Sequence, residues 1–186
     1  QGMEWFEYWK EQRIKYYRDK LGFAESSMRI YEHEKLAHYA KAAIDIEVKF
    51  PFGWGELEGV HHRGTWDLSR HSEFSGENLQ YVDHDNRRTL MPTVIETSVG
   101  LDRTFLALLS MAYDEESAAT QKAGMEEDVR VVLHLPPLVA PIQVAVLPQS
   151  KKLKENAEAL YKTISRYFRA EYDETGSIGK RYRRRR

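Results

Sequence analysis

The stretch from Ile44 to Val60 constrains the fold more than any other. It reads I-D-I-E-V-K-F, then P-F-G-W-G, then E-L-E-G-V. Apolar and charged side chains alternate through Ile44 to Phe50, as in a half-buried strand, and again through Glu56 to Val60. The F-P-F-G-W-G between them is a rigid turn, because proline fixes φ and glycine accepts positive φ. The chain therefore commits early to strand, turn, strand. Alternation also sets Glu56 and Glu58 on one face at spacing two. Such carboxylates can hold a divalent cation or an ammonium group. Glu58 fits equally the ordinary charge of an exposed strand face, and that is the reading expected for it.

Around this unit the periodicity predicts a helix from Glu4 to Lys20, with Trp5, Trp9 and Tyr16 near one face and Gly22 placed to end it. A short strand is expected at Met28 to Tyr31. H-E-K-L-A-H-Y-A-K-A-A, from His33 to Ala43, is a good helix former. Strands at Leu79 to Val82 and Leu90 to Ile95 flank D-H-D-N-R-R, whose Asp and Asn content suits a hairpin turn. Asp114 to Asp128 lacks periodicity and reads as a linker or trimmed loop. R-V-V-L-H-L, a Pro-rich turn, I-Q-V-A-V-L and a helix at Lys152 to Phe168 then suggest an α/β module with a parallel sheet.

The 186 residues leave room for one or two domains. The formal net charge of −1 gives no global argument for nucleic acid, although Arg181 and Arg183 to Arg186 form a basic run that either meets phosphate or is solvated. Cysteine is absent, which excludes disulfides and thiolate metal sites. No apolar run approaches a membrane span, so a soluble, cytoplasmic protein is expected.

Chemistry concentrates in P-T-V-I-E-T-S-V-G-L-D-R-T-F-L-A-L-L, Pro92 to Leu109. Thr93 to Ile95 is β-branched and apolar and reads as a buried strand, with Glu96 emerging at its end. Leu101, Phe105, Leu108 and Ala112 form one apolar helical stripe. Arg103 falls in the first turn of that helix, where a cation opposes the dipole unless an anion is near. Two explanations stand: a charged ligand, or an ion pair with Asp102, Asp67 or Glu96. The histidines offer less. His61 and His62 point to opposite faces of a strand, and His33 and His38 are five apart on the expected helix, not the four that aligns two ligands, so neither pair chelates one metal well. A metal-dependent hydrolase using Glu56, Glu58 and histidines lacks a ligand set. The residues alone support a ligand-binding α+β domain joined to an α/β module.

Six stretches carry a resemblance: H-E-K-L-A-H-Y-A-K-A-A-I-D-I-E, F-P-F-G-W-G-E-L-E-G-V, R-G-T-W-D-L-S-R-H, V-I-E-T-S-V-G-L-D-R, L-P-P-L-V-A-P-I-Q-V-A-V-L-P and D-E-T-G-S-I-G-K-R-Y-R-R. In this order they resemble the class II glycyl-tRNA synthetases of the homodimeric type. The resemblance implies an α+β fold: residues 1–113 as the C-terminal part of the class II antiparallel-sheet catalytic core with motif 3, 114–128 as a linker, and 129–186 as the start of an α/β anticodon-binding domain. It implies activation of glycine by ATP with Mg²⁺ and transfer to tRNA(Gly), in a cytoplasmic homodimer. V-I-E-T-S-V-G-L-D-R resembles motif 3, which makes Arg103 the γ-phosphate ligand, puts Gly100 at the ATP site, and assigns Glu96 and Ser98 to the glycine amino group. Glu56 matches the acid that holds Mg²⁺ and ATP, and Arg63 an arginine beside the glycine pocket. Motifs 1 and 2 have no counterpart in the sequence, so these residues on their own are expected to be inactive. Arg185 and Arg186 depart from the family's Gln-Asp. The rival reading is a non-catalytic tRNA-binding paralogue.

Overall fold

A computed structural model describes residues 2–118 and 128–184. The chain divides into two compact units, Gln1–Met111 and Ala112–Arg186. Among the described residues no helix is long and apolar enough to cross a membrane.

The alternating strands become the centre of the first unit. Strands β1 (Met28–Glu32), β2 (Ala42–Phe50) and β3 (Gly53–Gly64) pair antiparallel in sequence, and β6 (Val94–Val99) adds to the far edge of β3 to complete a four-stranded sheet. Ile44, Ile46, Val48 and Phe50 of β2 and Val60 of β3 are all buried, so one face of the sheet is core. Helix α1 (Gly2–Lys15) and a following π-helical turn, Tyr16–Lys20, lie against the sheet, and Phe6, Tyr17, Leu21 and Phe23 are buried with it. Trp5, Trp9 and Tyr16, which the spacing places near one face, are all exposed, so that face is not the one that packs. The π turn widens the helix by a residue and brings Tyr17 inward, where its ring stacks on Phe23. Gly22, at φ 70°, ends the segment in the left-handed region.

The helix expected over His33 to Ala43 does not form. Residues 33–41 are loop, and β2 already begins at Ala42. Helix propensity is a weak prior, and here tertiary partners override it. His33 reaches Asp45, His38 packs edge-on against Trp66, Arg63 stacks on Tyr39, and the Lys41 amide donates to the His62 carbonyl. Trp66 opens α2 (Trp66–Ser75), a helix the spacing did not single out. The hairpin expected around D-H-D-N-R-R is present as β4 (Tyr81–Asp83) and β5 (Arg88–Leu90), with Asp83 bonded to the Asn86 amide. Helix α3 (Leu101–Ala112) forms as the stripe predicts, yet Leu101 and Phe105 are 82% and 61% exposed, while Ala107 and Ala112 are buried.

In the second unit, part of the expected linker is strand. Strand β7 (Tyr113–Ala118) pairs antiparallel with β8 (Asp128–Leu133), and 119–127 lie outside the described residues. The apolar I-Q-V-A-V-L contributes only β9 (Val144–Val146), which pairs parallel with β10 (Ala170–Tyr172). Parallel neighbours need a crossover, and α4 (Lys154–Ile164), shorter than the helix expected to Phe168, supplies it. The final helix, α5 (Ile178–Arg184), is held by Arg181, whose guanidinium donates to the carbonyls of Pro148 and Gly176 and is 7% exposed. Arg181→Ala leaves those carbonyls without a charged donor, and a loss of about 1.5–3 kcal/mol in the unfolding of this unit is expected from denaturant titration. A change under 0.5 kcal/mol would remove Arg181 from the forces that hold α5.

Candidate active site

The sheet's second face is polar, and cross-strand register fixes which residues share it. Directly opposed residues of an antiparallel pair lie on one face. His61 opposes Glu96, and Gly59 opposes both Ser98 on β6 and Asp45 on β2. Ala43 opposes His61, and Glu47 opposes Glu56. Glu56, Gly59, His61, Glu96, Ser98, Asp45 and Glu47 thus form one surface.

Glu58 is not among them. The β2–β3 register shifts between Ile46 and Glu47, so Ile46 opposes Glu58 while Glu47 opposes Glu56, with Leu57 as the extra residue. A bulge reverses the alternation beyond it, so the expectation that the two glutamates share a face is overturned. The exposed setting expected for Glu58 is overturned as well. Its side chain is fully buried on the core face, where Arg13 donates from Nε at 2.6 Å and the Tyr17 hydroxyl at 2.5 Å. Burial, and then the bond to Glu58, push the Tyr17 phenol well above its ordinary pKa. Glu56 by contrast is exposed and has no ion-pair partner among the described residues.

Glu96 does not end its strand, as expected, but stands in the middle of β6, which runs on to Val99. Its Oε2 accepts from Arg63 Nη1 at 2.5 Å. Arg63 also donates from Nε and Nη2 to the two oxygens of Asp67, at 2.6 and 3.0 Å, and its guanidinium lies 4.3 Å from the centre of the Tyr39 ring. The bonds to Asp67 first, and to Glu96 second, hold Arg63 in its charged form, and the same contact with Arg63 holds the Asp67 carboxyl below the usual range. The sequence offered Asp67 only as a partner for Arg103. Its place four residues after Arg63, at the start of a helix, is the signal that could have paired them. His33 and Asp45, 2.9 Å apart, and Arg29 with Glu47 complete the polar face.

Arg103 does not make the ion pair that was one of the two explanations drawn from the sequence. It makes no ion pair among the described residues, and its Nη1 donates at 2.8 Å to the backbone carbonyl of Glu56. Asp67 and Glu96 are already taken by Arg63. A charged guanidinium at a helix start, satisfied by one neutral carbonyl, is suited to receiving an anion. Gly100, exposed at the turn from β6 into α3, accepts from the Thr104 amide at 3.0 Å. The structure thus brings Arg103 to the Glu56 backbone and Arg63 to Glu96, with Glu56, Glu96 and Ser98 on one face of one sheet. His62, on the opposite face from His61, is buried and accepts at Nδ1 from the Gly64 amide.

One other cluster lies in the second unit, where ligand atoms of Asp114, Glu116 and His134 fall within 4.8 Å of one another. His134 bridges the two acids and Arg130 pairs with Glu116, so mutual ion pairing accounts for it.

The chain is 50% identical over 184 residues to the glycine–tRNA ligase of Lachnoclostridium phytofermentans, which is 98% of this chain and 38% of that protein. It is similar to glycine–tRNA ligases. That of Treponema denticola is 49% identical over 186 residues, covering 97% of this chain and 41% of its own, and that of Clostridium perfringens 47% over 184 residues, covering 98% and 39%. The chain therefore spans about two fifths of the length of the curated relatives it matches. No protein-family model matches it.

Proposed function

We propose that the protein carrying this chain is a glycine–tRNA ligase. The observation that supports it most is the identity of about half of all residues to ligases of that name across nearly the whole chain. In the reaction, a carboxylate oxygen of glycine attacks the α-phosphorus of ATP, pyrophosphate leaves, and glycyl-adenylate forms. A ribose hydroxyl of the terminal adenosine of tRNA(Gly) then attacks the glycyl carbonyl, and AMP leaves. No covalent enzyme intermediate is required, so the protein's part is positioning and charge stabilisation.

In this reading Glu96 and Ser98 receive the glycine ammonium, and Arg63 stands beside them, with Asp67 and Tyr39 fixing its fork. Arg103 binds the γ-phosphate, its free charge being the reason it suits an anion, and Gly100 lets the phosphates approach the turn. Glu56 is an exposed oxygen ligand with no ion-pair partner among the described residues, which fits a Mg²⁺ ion carried by ATP. Bound there, Mg²⁺ neutralises phosphate charge. The finer parts of the reading are a class II catalytic core in the first unit, an anticodon-binding module in the second, a homodimer and a cytoplasmic setting.

The test is glycine-dependent ATP–pyrophosphate exchange by a polypeptide of the relatives' full length that carries these residues. Exchange stimulated by glycine and not by alanine or serine is expected. tRNA binding without exchange would favour the non-catalytic paralogue instead.

A further inference from the structure

His61 holds a polar atom that the protein leaves unused. Its Nδ1 is buried and has no hydrogen-bond partner among the described residues. Buried polar atoms are nearly always satisfied, so an exception calls for a cause. Glu96 Oε2 is 4.0 Å away, too far for the two to bond each other. The ring also lies close over Gly59. A β-carbon built there would stand 2.6 Å from His61 Cε1, so a side chain at this position would push the imidazole away. Gly59, opposite Ser98, thus lets the ring settle with Nδ1 toward the Glu96 row.

We infer that His61 Nδ1 is a further acceptor for the ammonium group of the substrate, acting together with Glu96. This rests on the proposed glycine-activating function. The spacing suits the chemistry. An ammonium nitrogen about 2.9 Å from each of two acceptors, with tetrahedral N–H bonds, holds those acceptors roughly 4–5 Å apart. Nδ1 and Oε2 meet that requirement at the low end, and Ser98 lies in the adjacent cross-strand row. A neutral imidazole with its proton on Nε2 presents a lone pair at Nδ1, so it adds an acceptor without adding a third ionised group beside Arg63. The carboxylate supplies the opposite charge and the imidazole supplies direction.

Two variants test this in the full-length protein. His61→Ala removes the acceptor, and the KM for glycine is expected to rise about tenfold with the KM for ATP unchanged, as for loss of one bond to a charged donor. His61→Asn places an amide oxygen near the position of Nδ1 and should recover glycine KM to within about threefold of wild type. A glycine KM within twofold of wild type in His61→Ala, or equal impairment in His61→Asn, overturns the inference. If the wild-type protein itself shows no glycine-dependent exchange, the proposed function fails and this inference with it. Wild-type exchange beside an indifferent His61→Ala defeats the inference alone.

Discussion

Glu96→Gln in the full-length protein is expected to lower kcat/KM for glycine activation about 10- to 100-fold while leaving the fold intact. The substitution keeps the shape of the side chain and removes the charge that faces the ammonium. Breaking a fully buried charged pair costs about 3–5 kcal/mol, but the Glu96 side chain is 34% exposed, so water screens part of the interaction. About 1.5–3 kcal/mol remains as the scale of the loss. Arg63 keeps both bonds to Asp67 in the variant, which is why little change in melting temperature should accompany the kinetic defect. Steady-state exchange at varied glycine measures it. Activity within threefold of wild type would detach Glu96 from substrate.

The second large effect concerns stability. Glu58→Ala should destabilise the first unit by about 3–4 kcal/mol. The Tyr17 hydroxyl loses its acceptor in the core, which costs about 1–3 kcal/mol. Arg13 also loses its carboxylate, although its side chain is 23% exposed and water recovers part of that loss. Denaturant unfolding would show this as a lower midpoint at unchanged slope. A loss below 1 kcal/mol would mean that the three groups are independent. The same trio sets a pH dependence. The folded state keeps Tyr17 neutral beyond the ordinary tyrosine range. Its contribution is therefore fully present below about pH 10 and declines above it, where the unfolded chain ionises and the folded chain does not. Tyr17→Phe should remove this alkaline decline.

What could be read from the sequence, and what could not, divides along physical lines. The Ile44 to Val60 strands were legible because alternation is a local property that the sheet merely completes. The hairpin at Asp83 was legible from turn chemistry. Residues 33–41 were not, since their helix propensity is outweighed by partners distant in the chain: Asp45, Trp66 and Arg63. The dipole argument noticed that Arg103 wanted an explanation but could not choose one, because which carboxylates remain available depends on Arg63 having taken Asp67 and Glu96. Glu58 was misread for a related reason. A glutamate in a strand looks like surface until the arginine and tyrosine that bury it are supplied, and these come from α1 and the π turn that follows it, 45 and 41 residues earlier.

The extra residue at Leu57 makes the identity of each face of β3 a matter of parity. The polar face takes the even-numbered position before it, Glu56, and the odd-numbered positions after it, Gly59 and His61, so Glu56 and Glu58 are two apart in sequence and on opposite sides of the first unit's sheet. Losing Leu57 itself would leave both faces as they are, because Glu47 with Glu56 and Ile46 with Glu58 would then be consecutive regular pairs. Losing any other single residue of the strand with the bulge kept is an inversion rather than a trim. A loss of that second kind would carry a glutamate from the polar surface into the hydrophobic layer, or carry the neighbouring apolar positions out of it. The strand tolerates replacement of its side chains one at a time far better than a change in their number outside the bulge.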